Sequence, residues 1–209
     1  MKCVQFIKQV NNTELGKANT NETYIRIPQE LDISDLFEIT DHFYSFTDKH
    51  SLKVYDIRFT HGREKRIVGL GDFYRDNDLH AGDKVLVERI IQENNISQYM
   101  LSFRKATDTV FFQKVKGYFE VLTPERLDSV LDLDLNDKNG SVIRVTYYGS
   151  TKKKANSPSE TKVYNILVDD TEIREDYKTD NLIGLQLQNG LAKLVVGKPW
   201  EKYITEVAE

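Results

Sequence analysis

The chain has 209 residues, 39% of them hydrophobic and 30% charged, with 11 Tyr and 10 Phe; this is enough apolar material for one large domain or two small ones and too much for a disordered chain. A formal net charge of −4 excludes a nucleic-acid binder that relies on bulk positive charge, though not one with a local basic face. The single cysteine, Cys3, excludes a disulfide scaffold and a cysteine zinc site, and with no signal-length apolar run and no stretch of roughly 18 apolar residues the expectation is a soluble, cytoplasmic protein with no membrane partner.

Period two dominates the chain. Short runs rich in β-branched and aromatic residues fall at 2–10, 23–28, 52–59, 84–91, 98–104, 141–148 and 163–168, the pattern of strands with one buried face. Between them stand turn signals such as Asn11-Asn12, His61-Gly62, Ala81-Gly82-Asp83 and Asn139-Gly140, which favour a mainly β barrel or sandwich over the alternating units of a nucleotide-binding sheet. Two short helices are predicted, at 32–39 with Asp32 as cap and at 124–130 with Thr123 as cap and Pro124 in the first helical position. Residues 199–207 suit either a third helix or an irregular tail that packs Trp200 and Tyr203 onto the barrel. The polar stretch 149–161 predicts a long mobile hairpin loop carrying Lys152, Lys153 and Lys154. Pro28-Gln29-Glu30-Leu31-Asp32 is echoed by Pro124-Glu125-Arg126-Leu127-Asp128, as a degenerate duplication would leave it.

Two polar segments hold the donors that could read a nucleic acid. Residues 58–66, Arg58-Phe59-Thr60-His61-Gly62-Arg63-Glu64-Lys65-Arg66, form a hairpin connection dense in long side chains. Arg forks onto guanine O6 and N7, Lys reaches the same edge or a phosphate, and Glu accepts from cytosine N4. Residues 11–23 offer Lys17, Asn19, Thr20 and Asn21 for base or phosphate contacts, with Glu14 and Glu22 either reading cytosine or keeping the loop soluble. Both segments also suit an ordinary solvated surface. Phe6, Tyr24, Phe59, Phe73, Tyr147 and Tyr148 alternate with polar residues, which points to core packing rather than base stacking. Glu160-Thr161-Lys162, with Asp132, Asp134 or Asp137 upstream, has the residue types of a Mg²⁺-dependent nuclease. Such short acidic-basic matches arise by chance in a chain this charged. The histidines show no metal-ligand spacing, and no phosphate-binding glycine loop or nucleophile elbow is present.

Two stretches carry a resemblance. Phe6-Ile7-Lys8, leading through Thr13, Leu15-Gly16 and Thr20 into Tyr24-Ile25-Arg26-Ile27-Pro28, resembles the opening strand, N-arm and second strand of the EcoRII N-terminal effector-binding domain. Phe73-Tyr74-Arg75-Asp76-Asn77-Asp78-Leu79-His80-Ala81-Gly82-Asp83-Lys84-Val85-Leu86-Val87 is similar to the signature that closes the same barrel, shared more broadly with the plant B-three DNA-binding pseudobarrel. The resemblance implies a B-three-like DNA-binding pseudobarrel over 1–105, with 106–209 as a β-rich extension of it, a second copy or a separate β module. It implies sequence-specific recognition of double-stranded DNA in a restriction-modification system, the arms 11–23 and 58–66 entering the major groove. The implied contact residues are Lys17, Asn19, Thr20, Asn21, Arg58, His61, Arg63, Glu64, Lys65 and Arg66, joined by Lys152, Lys153 and Lys154 if their loop faces the same side. No catalytic residue, metal or cofactor is expected in this chain; cleavage would belong to a separate nuclease or motor domain or subunit of the restriction endonuclease. Plant members of the family are more basic than this chain, which puts high-affinity non-specific binding in doubt. A complete small nuclease and a protein-interaction β-barrel remain the alternatives.

Overall fold

The computed structural model describes residues 1–17, 21–115, 117–152, 160–177 and 182–206. It divides into two units: residues 1–105 together with the C-terminal strand, and residues 106–199. In chain order the first unit contributes β1 (Lys2–Gln9), β2 (Tyr24–Ile27), β3 (Phe43–Asp48), β4 (Val54–His61), β5 (Lys65–Val68), a short α1 (Gly71–Asp76), β6 (Lys84–Ile91) and β7 (Ser97–Arg104). The second contributes β8 (Thr109–Val115), β9 (Tyr118–Val121), a 3₁₀ helix (Pro124–Ser129), β10 (Leu135–Asn136), β11 (Val142–Lys152), β12 (Glu160–Val168), β13 (Thr171–Glu172), a 3₁₀ turn (Arg174–Asp176), β14 (Leu182–Gln188) and β15 (Leu191–Gly197). The last strand is β16 (Trp200–Glu206). Among the described residues no helix is long and apolar enough to cross a membrane.

The first sheet runs β16-β1-β6-β7-β3-β4-β5-β2, antiparallel except for the parallel pair β3 and β7. Strict alternation shapes it. Along β4, Tyr55, Ile57 and Phe59 are buried while Val54, Asp56 and His61 face out. The inward residues join Phe6, Ile25, Phe46, Ile67 and Phe73 in a core of fully buried side chains. β6 lies between β1 and β7 and is buried along nearly its whole length, so its charged residues carry partners, as buried charges must. Glu88 accepts from Gln5 at 2.8 Å and pairs with Lys49, and Arg89 donates to Ser97 at 3.0 Å and to the Asp35 carbonyl at 3.1 Å.

The second sheet, β10-β11-β12-β9-β8-β14-β15, pairs antiparallel throughout, with β13 added beside β12. Its core gathers Phe112, Phe119, Val130, Val145, Ile166, Ile183 and Leu185. The strand order differs from that of the first sheet, and residues 28–32 form a turn where 124–129 form a 3₁₀ helix. The sequence echo therefore does not mark a repeated fold.

Several expected elements take another form. Residues 32–39 make a single turn, not a helix: Asp32 accepts from the Ser34 amide at 2.9 Å as a cap would, and Leu36 and Phe37 both bond back to the Ile33 carbonyl at 2.9 Å. Ile33, Leu36 and Phe37 are drawn into the core, and one turn does not offset the cost of helix nucleation. The 199–207 segment is neither helix nor irregular tail but β16, paired along β1 from Trp200↔Lys8 to Glu206↔Lys2. The hairpin over 149–161 has longer arms than expected, with Lys152 paired to Glu160; Lys153 and Lys154 lie outside the described residues.

The base of the 11–23 segment is held by a buried ion pair. Lys8 Nζ lies 2.8 Å from Glu14 Oε2, with side-chain exposures of 7% and 3%. The same carboxylate accepts from the Asn11 amide at 3.2 Å and the Arg26 amide at 3.0 Å, while Lys8 also donates to the Gln9 carbonyl at 2.8 Å. Glu14 is thus a structural residue and neither reads cytosine nor solubilises the loop. Glu14→Ala leaves Lys8 buried without its partner, and urea unfolding is expected to show a loss of about 3–5 kcal/mol.

Asp48 tests the fold from another side. It is buried, which pushes its carboxyl up, yet the His50 amide (3.0 Å), the Ser51 hydroxyl (2.7 Å) and Asn77 hold it below the usual aspartate range. A depressed pKa contributes stability above the unfolded value near 3.8 and loses it as pH falls through the folded value. Asp48→Asn is expected to fall less steeply in urea midpoint than the wild type on acidification below pH ~4; parallel profiles would show that Asp48 adds nothing to acid sensitivity.

Candidate nucleic-acid interface

β4 and β5 form the 58–66 hairpin, closed by His61 opposite Lys65 and by a Gly62 amide bond to the Glu64 carbonyl at 3.3 Å. The tip is anchored from below. Lys65 Nζ donates to the carbonyls of Gln29 at 2.7 Å and Leu31 at 3.1 Å, and Gln29 Nε2 donates to the Arg63 carbonyl at 3.3 Å. Arg63 itself is exposed, and among the described residues its guanidinium makes no hydrogen bond or ion pair. His61 and Gly62 are likewise exposed beside it, and Arg63, Glu64, Thr60 and Asp41 share a concave recess with them.

Arg66 joins the two arms. Its Nε and NH2 donate to Glu64 Oε2 at 3.1 and 2.9 Å, its NH1 donates to Glu22 Oε2 at 2.9 Å, and its guanidinium lies 4.2 Å from the centre of the Tyr24 ring. Bonds to Glu64, opposed by partial burial and reinforced by Glu22, raise its pKa further. Register places Arg26 on β2 directly opposite Arg66 on β5, and Arg26 also approaches Glu64 at 3.7 Å. Arg58 packs its guanidinium 5.0 Å from the exposed Phe43 ring.

The 11–23 arm leaves the Glu14 anchor through a turn in which the Lys17 amide bonds to the Asn12 carbonyl at 2.8 Å. Lys17 Nζ donates to the Leu79 carbonyl at 3.0 Å. Asn21 and Glu22 are exposed; Asn19 and Thr20 lie outside the described residues. Beside Lys17 and Asn21 a second recess is lined by Thr23, Gly71, Tyr74, Arg75 and Asp78.

Of the expected contact residues, Lys17, Asn21, Arg58, His61, Arg63, Glu64, Lys65 and Arg66 therefore stand on one unit, Lys65 and Arg66 as braces and Arg63 as the unengaged donor. Lys152 belongs to the other unit, where only its backbone is described. Arg26 and Arg75 are additional candidates that composition did not single out. Alternation along Tyr24-Ile25-Arg26-Ile27 marks Arg26 as outward-facing and is the signal that would have found it; Arg75 has no such signal. Phe6, Tyr24, Phe59 and Phe73 are core residues as expected, whereas Tyr147 and Tyr148 are half exposed, with the Tyr148 ring tilted against Tyr118 at a centroid distance of 5.2 Å.

The carboxylates considered for metal binding do not converge. Glu160 pairs with Lys152 at one end of the β11–β12 hairpin, while Asp134 and Asp170 both pair with Arg144 near the other, eight residues and roughly 25 Å along the strand from Lys152. Asp137 accepts from the amides of Asn139 and Ser141 in a tight turn. Among the described residues no three acidic, His or Cys side chains gather as a metal site would need.

No protein-family model and no curated protein matches the chain. Solved structures do. The chain is similar to an Arabidopsis FUS3-DNA complex at 18% identity, covering 48% of this chain and 96% of that one with a TM-score of 0.34. A hypothetical Arabidopsis thaliana protein aligns at 17% identity over 49% of this chain and 90% of that one, TM-score 0.33. The N-terminal domain of Helicobacter pylori LlaJI.R1 aligns at 15% identity over 52% and 84%, TM-score 0.35. The chain is mainly β, and its first unit holds an eight-stranded sheet whose end strands β16 and β2 stay unpaired with each other among the described residues.

The Arg66 bridge carries a direct test. Arg66→Ala is expected to cost about 1–2 kcal/mol in urea unfolding, the modest value fitting its partial exposure. A double-mutant cycle with Glu22→Ala should return a coupling of about 0.5–1 kcal/mol; additive losses would show that the arms are not joined through this contact.

Proposed function

We propose that the chain recognises a specific double-stranded DNA sequence as part of a restriction-modification system, the arms 11–23 and 58–66 entering the major groove together. The recognition unit is the pseudobarrel of residues 1–105 completed by β16, with residues 106–199 as a separate module. Cleavage belongs to another domain or subunit. The observation that carries this reading is the Arg66 bridge, since a pair of arms can read neighbouring base pairs only if their spacing is preset before binding.

With Arg66 and Lys65 engaged in bracing, the readers are the donors left over. Arg63 at the hairpin tip has the fork that suits guanine O6 and N7, and Asn21 on the other arm has the amide that suits adenine N6 and N7. Glu64, its carboxylate aimed by Arg66, is an acceptor suited to cytosine N4. A net charge of −4 is compatible with this mode, because a few directed donors and not a cationic blanket supply the discrimination. The acidic balance predicts weak binding to random DNA.

The test is selection from a randomised duplex pool at two salt concentrations without divalent metal, followed by sequencing of bound molecules. A short motif that survives the higher salt is expected. On that motif Arg63→Ala should cost roughly 1–3 kcal/mol and relax the preference at one base pair. Equal loss on random DNA would make Arg63 a phosphate contact, and the absence of any enriched motif would remove the recognition reading altogether.

A further inference from the structure

Gly71, at the start of α1, faces the foot of the 11–23 arm. A Cβ placed on it would lie 2.9 Å from the Thr23 hydroxyl and 3.4 Å from Arg75 NH1. A hydroxyl and one guanidinium nitrogen therefore converge over a floor that bears no side chain. Arg75 uses its other terminal nitrogen, NH2, for the ion pair with Asp72, and its side chain is 72% exposed, so NH1 is presented to the recess and to solvent at once. Lys17 and Asn21 line the same recess. The bond from Lys17 Nζ to the Leu79 carbonyl at 3.0 Å uses one of three ammonium protons and holds the other two near the recess.

Hydroxyl, guanidinium, ammonium and carboxamide around a bare backbone floor make a set of donors suited to a tetrahedral oxyanion. Two carboxylates temper the charge: Asp72 beside Arg75, and Asp78, which lines the same recess and is 86% exposed. With Lys17 and Arg75 they bring the local formal charge to about zero, a balance that disfavours a free dianion and accepts a monoanion delivered by a larger partner. We propose that this recess seats one backbone phosphodiester of the bound duplex, an inference that rests on the reading of the chain as a DNA-recognition protein. The seat carries no sequence information. It sets the register in which the hairpin tip meets the bases.

The experiment uses the full chain and two duplexes, the selected motif and a scrambled one, in titrations over a range of salt. Arg75→Gln is expected to weaken both duplexes by the same factor, about three- to tenfold, and to lower the salt slope by about one. Arg75→Lys should keep the slope, and Thr23→Val should weaken both duplexes without changing it. A duplex with one methylphosphonate at the seated position should bind the wild type as weakly as the normal duplex binds Arg75→Gln, with no further loss when both changes are combined. Inorganic phosphate at constant ionic strength should not compete; competition would make the recess a free-phosphate site and overturn the assignment. An unchanged salt slope in an Arg75→Gln protein that keeps its sequence preference would overturn it too, as would a loss in that protein confined to the selected duplex, which would make Arg75 a base reader. Failure of the wild type to bind either duplex is a different result, one that removes the DNA reading itself.

Discussion

The Glu14 carboxylate is the point on which the first unit's β1–β2 connection depends. Its two oxygens accept from the Lys8 ammonium and from the amides of Asn11 and Arg26, and its own carbonyl accepts from the Tyr24 amide at 3.0 Å. Three segments meet there: the end of β1, the start of the arm, and β2 through its first and third residues. Taking both charges out of water is expensive, and the arrangement holds only because the pair is close and the remaining lone pairs are occupied. What the pair gives in return is a fixed exit for the arm. A loop hinged on apolar contacts alone could rotate about its ends; one tied by directional bonds at Asn11, Glu14 and Tyr24 leaves the barrel in one direction.

From that anchor β2 carries the order outward. Its pairing with β5 sets Arg26 against Arg66, and like charges in register destabilise a sheet. Glu64, 3.7 Å from one and 2.9 Å from the other, relieves the repulsion, and Glu22 takes the remaining side of Arg66. The Tyr24 ring beneath supplies a flat apolar support for the guanidinium. The consequence is electrostatic as well as geometric. Two arginines and two glutamates neutralise one another between the arms, whereas among the described residues the Arg63 guanidinium at the tip makes no hydrogen bond or ion pair.

How much of this was visible beforehand differs from element to element. β6 over 84–91 was legible to the residue, and β1, β2, β4 and β7 nearly so, because alternation with β-branched residues is a local property. β5 was hidden: Lys65 and Arg66 read as a charged turn, and their strand character comes from pairing with β2 and β4 on either side. α1 was hidden by its brevity and by Gly69 and Gly71 around its start. Charge and turn residues marked the segments 11–23 and 58–66, yet not the contacts made inside them. Glu14 looked like any acid in a polar loop, since nothing local says that β2 will return and bury it. Arg66 looked like a reader because its partners, Glu22 and Tyr24, lie more than forty residues away. Long-range partners decide whether a charged side chain is a brace or a free hand, and a single sequence does not list them.

The same lesson governs the limits of the first unit. The resemblance implied a boundary at residue 105, but β1 is an interior strand only because β16 covers its outer edge from Lys2 to Lys8. β16 is itself held down from the other side: Lys202 reaches Asp35 at 2.8 Å and the Asp32 carbonyl at 2.6 Å, and Glu201 meets Lys84 at 3.4 Å. These contacts also stabilise the 32–35 turn that a short sequence mistook for a helix. The unit is therefore discontinuous in sequence, with residues 106–199 inserted between its seventh strand and its last. An edge strand stripped of its neighbour exposes a row of unpaired amides and carbonyls, so the first sheet is whole only when the chain has passed through the second unit and come back.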